Sequence, residues 1–256
     1  MTIGTTIHSI STCPSTNDLA KRLAREGSAH GTVVLSEEQT GGRGTKGRSW
    51  HSPRGLGLYA SVILRPPRAD LSLIPLAAGV ACLEAVQEAT GLQAALEWPN
   101  DIVWQRRKLG GILGEGEFLG NSVNFAVLGI GLNVGQLSDD FPAALRKSAT
   151  SLRLALGREA DKAGLEKALW PALDRWYSKW LRGRHEEIVR AYESKFIVPI
   201  GTGVNVRREG GSQGGIFGGI DLQARLKLAL QGKTIVFSPA EILAIDYNWD
   251  VLKKER

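Results

Sequence analysis

The sequence of 256 residues predicts an α/β fold of the α+β kind, built on a mixed, largely antiparallel sheet, with a small all-β unit at its end. Three observations predict it. A long apolar helix pattern runs from Ser72 to about Thr90, a run of short strands follows it, and from about Ile197 brief strands alternate with Gly and polar turns. Hydrophobic residues at 43% and charged residues at 23% are ordinary globular usage and exclude disorder and fibrous repeats. The chain is long enough to bury a core without covalent staples.

The elements follow in order. Ser15 or Thr16 is an N-cap for a short amphipathic helix with Leu19, Ala20 and Leu23 on one side, and Gly27 stops it. Thr32–Ser36 is a buried strand, and Leu58–Leu64 is another. Between them, Thr40–Gly55 is glycine-rich and polar, too irregular for helix or strand. Ser72 caps the apolar helix, Pro75 falls harmlessly in its first turn, and Gly91 lies just beyond its end. Ala94–Trp98, Ile102–Trp104, Leu109–Glu117 and Val123–Ile130 form a meander whose short connections make it mostly antiparallel. Helices follow near Leu165–Leu181 and Arg184–Tyr192. Trp170, Leu173, Trp176, Tyr177 and Trp180 fall at helical spacing, the pattern of a core stripe. Val204–Val206, Gly215–Ile220, Ala224–Ala229 and Thr234–Phe237 are the strands of a small barrel or sandwich. The Pro199–Gly201 region separates a domain of residues 1–197 from one of residues 198–256.

Composition also narrows function. Cys13 and Cys82 cannot make a disulfide framework, which fits a reducing, cytoplasmic location. The start MTIGTTIHSI lacks a signal-peptide pattern, and no run reaches the roughly 18 apolar residues of a membrane span. The net charge of +6 is scattered in short clusters, from Lys21–Arg22 and Arg43–Arg48 to Arg106–Lys108, Arg207–Arg208 and Lys253–Lys254. Several clusters sit beside glycines, which suits local anion binding at least as well as a DNA face. G-x-S-x-G, H-E-x-x-H and cysteine pairs at metal spacing are all missing, which disfavours hydrolase triads and zinc chemistry.

Five segments could carry chemistry. In Gln39–Trp50, three cations stand among four glycines. Gly42–Ser49 comes close to a phosphate-binding loop, with Arg48 in place of its lysine, but His51-Ser52-Pro53 cannot open the helix that such a loop needs. The segment is either an anion cradle of backbone amides and forked Arg donors or a solvated surface loop. Glu97–Ile102 reads as a hairpin turn, or as Asn100 and Asp101 holding a nucleotide or a hydrated metal ion. In Arg107–Glu115, Lys108 sits at a strand mouth and Gly110–Gly111 allow close approach to the backbone. Gly129–Val134 starts like a dinucleotide fingerprint, but Val134 replaces its third glycine; the alternation suits a strand passing beneath a ligand and ending in Asn133. Cys13–Asn17 is a helix cap that could also bind a neutral polar group.

Taken in this order, Ser-Thr-Asn, Gln-x-x-Gly-Arg-Gly-x-x-Gly-Arg-x-Trp, Trp-Pro-Asn-Asp, Lys-Leu-Gly-Gly-Ile-Leu and Gly-Ile-Gly-Leu-Asn-Val resemble the biotin–protein ligases, from about Ser15 to the C-terminus. The resemblance implies a catalytic domain related in fold to class II aminoacyl-tRNA synthetases and a C-terminal SH3-like barrel. It implies activation of biotin by Mg2+-ATP to biotinyl-5′-AMP, then transfer to a lysine of a biotin carboxyl carrier protein or domain. By resemblance, Lys108, Arg43 and Arg48 are catalytic. Biotin contacts fall to Ser15, Thr16, Asn17, Gln39, Gly42, Arg43, Gly44, Thr45, Lys108, Gly111, Gly129 and Gly131. Nucleotide contacts fall to Arg43, Arg48, Trp50, Asn100, Asp101, Lys108 and Asn133, and a Mg2+ contact to Asp101 or Asn133. Joining two anions needs neutralising charge more than acid–base machinery, which suits this set.

The fourteen residues before Ser15 leave no room for a winged helix, so the expectation is a ligase without repressor function and without DNA or membrane partners, with a homodimer left open. Lipoate–protein ligases, which share the chemistry, typically read Arg-Arg-x-Ser-Gly-Gly-Gly at the loop, unlike this chain. A non-catalytic biotin or nucleotide sensor is the remaining alternative. Many family members carry Arg where this chain has Thr45, so the lid lacks one cation, and Lys46 is expected to supply some of it. Thr45→Arg is therefore expected to reduce leakage of free biotinyl-5′-AMP, measured by chromatography of the turnover mixture; equal leakage from both proteins would make the substitution silent.

Overall fold

The computed structural model describes residues 2–247; residues 248–256, including Lys253–Lys254 and the end of the 198–256 unit, lie outside the described residues. Two sheets organise the chain. The larger contains β1 (Ile7–Ile10), β2 (Val33–Ser36), β3 (Gly57–Leu64), β4 (Ala95–Glu97), β5 (Asp101–Trp104), β6 (Arg107–Leu119) and β7 (Ser122–Asn133). Its order is β1-β2-β3-β7-β6-β5-β4, parallel at β1–β2 and antiparallel elsewhere.

Strand alternation divides this sheet into two differently covered faces. Leu58, Ala60, Val62 and Leu64 of β3 and Leu128, Ile130 and Leu132 of β7 join the main core under α2 (Ile74–Thr90). That helix is apolar nearly all round because α4 (Lys162–Leu181) and α5 (His185–Ser194) pack against it as well. On the other face, Val34, Ile63, Phe125 and Val127 meet Ala20 and Ala24 of α1 (Thr16–Arg25) in a smaller cluster. Helix α1 covers only part of this face, and the uncovered part becomes the site.

The aromatic stripe of α4 is core, as its spacing predicts: Trp180 is 1% exposed and stacks on Tyr177 with ring centroids 5.5 Å apart. Both cysteines are free and buried, and desolvation pushes the Cys82 thiol up to about 12. The second sheet is antiparallel, with β8 (Gly203–Arg208), β9 (Gly211–Ile220), β10 (Leu226–Leu230), β11 (Lys233–Phe237) and β12 (Ile242–Tyr247) in the order β11-β10-β9-β8-β12. Val204, Val206, Phe217 and Leu226 join the main core, so the two sheets share one hydrophobic interior.

Three elements carried no sequence signal. β1 is short, mostly exposed and rich in polar residues, so no apolar alternation marks it. α3 (Leu152–Leu156) is too short to show helical periodicity. β12 alternates weakly because only Ile242 in it is fully buried. Ser72 is not the cap of α2: Leu73 holds that position, and the Ser72 N–H donates instead to Asp70 Oδ1 at 3.0 Å. Trp180→Ala is expected to cost about 3–5 kcal/mol of unfolding free energy in urea titrations; a loss below about 1 kcal/mol would remove this residue from the core's main supports.

Candidate active site

On the face that α1 leaves open, small residues make a floor. Gly111 of β6 pairs with Gly131 of β7, and Gly129 lies two residues earlier on the same face. Side chains lie directly on these glycines: a Cβ at Gly131 would come within 2.6 Å of the Trp50 indole, and one at Gly129 within 2.3 Å of Asn17 Oδ1.

The floor meets its cation through an irregularity. Ile102 pairs with Gly110 but Val103 pairs with Lys108, so β6 carries one extra residue, Leu109, at this point. In a regular strand Lys108 and Gly111 would point to opposite faces; the bulge brings them to the same one. Lys108 Nζ then reaches Asp101 Oδ1 at 2.7 Å and stands 5.6 Å from the centroid of Trp50.

The start of α1 supplies the polar end. Ser15 is its N-cap residue, yet its hydroxyl makes no capping bond and lines the cavity. The Thr16 N–H and hydroxyl donate to Gln39 Oε1 at 2.8 and 3.0 Å, and Gln39 Nε2 donates to Ser52 Oγ at 2.9 Å. Ser61, which the sequence did not mark, lies beneath them with Oγ 2.8 Å from Thr16 Oγ1 and 2.5 Å from Asn17 Oδ1.

The glycine-rich segment folds over the cavity as a narrow hairpin, with the Trp50 N–H on the Gly42 carbonyl at 2.8 Å and the Gly44 N–H on the Arg48 carbonyl at 2.6 Å. Gly44, Thr45, Arg43, Arg48 and Trp50 line the cavity. Gly42 does not; it is packed so closely that a Cβ would come within 2.5 Å of the Trp50 carbonyl oxygen. Arg48 donates to the Thr45 carbonyl at 3.3 Å and to its hydroxyl at 3.2 Å. Lys46 departs from expectation: it occupies left-handed backbone (φ 58°) and its ammonium donates to the Ile242 carbonyl of β12 rather than facing the cavity.

Arg43 is held by Asp18 Oδ1 at 2.5 Å and Glu115 Oε2 at 3.2 Å. Glu115 also takes Lys21 at 2.5 Å and the Asn17 amide at 2.7 Å. Burial alone would push its carboxyl up, but these hydrogen bonds and the charges of Lys21 and Arg43 hold it below the usual 4.5. Glu115 escaped the sequence reading because a strand acid next to a glycine looks like a solvated one. So did the wall made by Phe141, Leu145, Ser148 and Ala149, which belongs to a connection without a motif.

The cavity is about 290 Å³. Asn100 and Asn133 line it, but both side chains are engaged with the protein: Asn100 Nδ2 donates to the Ile112 carbonyl at 2.8 Å, and Asn133 Nδ2 to the Thr150 carbonyl at 2.9 Å. Asp101 is the one acid among the described lining residues, and it is paired with Lys108. Among the described residues no group of three or more His, Cys, Asp or Glu could hold a metal ion. This donor set does not fit a resident divalent cation.

The model of the biotin/lipoate A/B protein ligase family matches residues 9–133. The biotin--[acetyl-CoA-carboxylase] ligase of Mycobacterium tuberculosis is 35% identical over 238 residues, covering 90% of this chain and 85% of that protein. The chain belongs to the biotin protein ligase family. The bifunctional ligase/repressor BirA of Bacillus spizizenii is 36% identical over 85% of this chain and 67% of its own length. The biotin protein ligase of Aquifex aeolicus, solved in complex with biotin and ATP, superposes with a TM-score of 0.81 at 26% identity, covering 95% of this chain and 100% of that one. In this biotin protein ligase fold, the cavity lies on the sheet face shared by α1 and the glycine-rich hairpin.

The depressed Glu115 carboxyl makes a signed prediction. Its charged form contributes stability above the ordinary value of 4.5, and that contribution is lost as pH falls through the lower folded value. The stability gap between the native chain and Glu115→Gln is expected to be constant near neutrality and to close below about pH 4.5 in urea titrations; a gap that does not change with pH would contradict the assigned ion pairs.

Proposed function

We propose that this chain activates biotin as biotinyl-5′-AMP and transfers it to a lysine of a biotin carboxyl carrier protein or domain. The observation that carries this reading is the convergence of Lys108, Arg43 and Arg48 on one cavity floored by Gly111, Gly129 and Gly131, with a single carboxylate among its described lining. Such a cavity favours the meeting of two anions. The ureido ring suits the buried end, where Ser15, Thr16 and Gln39 offer donors and acceptors to groups that are costly to bury unpaired. Gly129 and Gly131 leave space for the bicycle and its chain.

In the first step a biotin carboxylate oxygen bonds to the α-phosphorus of ATP and pyrophosphate leaves. Mg2+ arrives with the nucleotide and neutralises phosphate charge. Lys108, released from Asp101 as the more highly charged phosphate enters, stands between carboxylate and α-phosphate. Arg48 and Arg43 supply forked donors from the hairpin, which shields the mixed anhydride from water. Trp50, Asn100, Asp101 and Asn133 form the nucleotide side. In the second step a carrier lysine amine bonds to the acyl carbon, AMP leaves, and the amine gives up a proton.

We also read residues 1–197 as the catalytic domain and the five-stranded sheet as an SH3-like domain of residues 198–256, and place the protein in the cytoplasm. Two buried free thiols support that location. Among the described residues no helix is long and apolar enough to cross a membrane.

Pyrophosphate release on adding Mg2+-ATP and biotin tests the function. Release with lipoate but not biotin would assign the other branch of the family, and no release would leave a sensor. Lys108→Ala is expected to lower the adenylation rate by about 10²–10³-fold; near-native adenylation would move the catalytic assignment to another residue.

A further inference from the structure

Against the Lys108 main chain lies a buried polar cluster of which the proposed chemistry uses only Asn133. Gln136, Thr150 and Ser151 are each 0% exposed, and Asn133 is 4% exposed. The Lys108 main chain is held at both ends: its N–H donates to the Ser148 carbonyl at 2.7 Å, and its carbonyl accepts from the Thr150 N–H at 2.9 Å and from Asn133 Nδ2 at 3.4 Å. Asn133 Nδ2 also donates to the Thr150 carbonyl at 2.9 Å. At the opposite end of the same carboxamide, Oδ1 accepts from Gln136 Nε2 at 3.2 Å. Ser151 closes the cluster, donating to the Gln136 carbonyl at 2.6 Å and accepting from the Leu154 N–H at 3.1 Å.

A carboxamide has donors at one end and an acceptor at the other, so its orientation is set by what faces each end. The carbonyls of Lys108 and Thr150 require donors. A flipped Asn133 would set its oxygen against both of them and its NH₂ against the Gln136 NH₂, leaving buried groups unpaired. The two carbonyls set the orientation of Asn133, Gln136 Nε2 supports it with a donor at the Oδ1 end, and Asn133 ties Lys108 to the 148–150 segment. The strand is irregular at that point, since the β-bulge at Leu109 removes a ladder position next to Lys108.

We propose that Gln136 is a positioning residue for adenylation, acting through Asn133 to hold the Lys108 main chain so that Nζ projects over the glycine floor. This rests on the reading of Lys108 as the residue at the reacting phosphate. A displacement of about 1 Å there is enough to slow chemistry while leaving biotin binding intact.

The test uses Gln136→Met, which keeps the side-chain length and removes the donor, alone and combined with Asn133→Ala. Single-turnover pyrophosphate release gives the adenylation rate, and tryptophan fluorescence titration gives biotin affinity. Gln136→Met is expected to slow adenylation about tenfold with biotin affinity within about twofold of native. In the Asn133→Ala background the same change is expected to cost little more, because the partner through which Gln136 acts is gone. A native adenylation rate in Gln136→Met overturns the proposal. So does an equal loss in both backgrounds, or a parallel loss of biotin affinity, which marks a merely structural role. If Gln136→Met does not fold, Gln136→Leu, which also lacks a donor, is read by the same three comparisons. A native chain that releases no pyrophosphate with biotin would refute the functional reading itself; an active native chain with unaffected variants refutes only the role of Gln136.

Discussion

Lys108 and Gly111 share a face of the sheet because β6 carries one residue more than β5 between their pairing partners. Without that extra residue, strand alternation would send the ammonium into the apolar interior beneath α2, where a lone cation is costly. With it, the charge stands above a floor of glycines and beside Asp101. The remaining geometry follows from that placement. Trp50 can lie on Gly131 within reach of the ammonium, the 148–150 segment can pair with the Lys108 main chain, and the hairpin can close over both.

The cations that face the cavity are largely provided with acidic partners at its edge. Arg43 has Asp18 and Glu115, and Lys108 has Asp101. Each pair is partly exposed, so it contributes modestly to stability and can exchange partners at small cost. A pocket of unpartnered cations would repel itself, whereas one whose cations can leave carboxylates for phosphates is balanced with and without ligand. Arg48 is held by the Thr45 carbonyl and hydroxyl instead, and Lys46 leaves the cavity, its ammonium directed to β12 and linking the tip of the hairpin to the second sheet.

Polar groups behind the cavity are arranged differently from those in front. In front, Ser15 lines the cavity with its hydroxyl making no capping bond, and Thr16 and Gln39 are bonded chiefly to each other. Behind, Gln136 and Ser151 are enclosed: Ser151 is bonded to main chain, and Gln136 to the amide of Asn133, which is itself bonded to main chain, where an unpaired group would cost far more than at the surface. The first arrangement leaves capacity for a ligand; the second fixes the scaffold.

The sequence by itself determined the types of most elements, the apolar central helix, the aromatic core of α4, and the cationic and glycine segments with their order along the chain. These depend on local pattern: helical spacing, strand alternation, and the freedom of glycine in turns. It also carried the family resemblance, since five separated motifs in fixed order amount to one long pattern. Only the tertiary structure decided which segments meet. The bulge at Leu109 leaves no mark in a sequence whose alternation simply looks imperfect, and Ser61, Glu115 and Gln136 are ordinary polar residues until the sheet sets them beside Asn17, Arg43 and Asn133. Nor could spacing reveal that Lys46 would leave the cavity, because its direction depends on a left-handed backbone and a carbonyl 196 positions away in the chain. Long-range pairing is decided by burial and hydrogen-bond satisfaction over the whole fold, and no local pattern contains it.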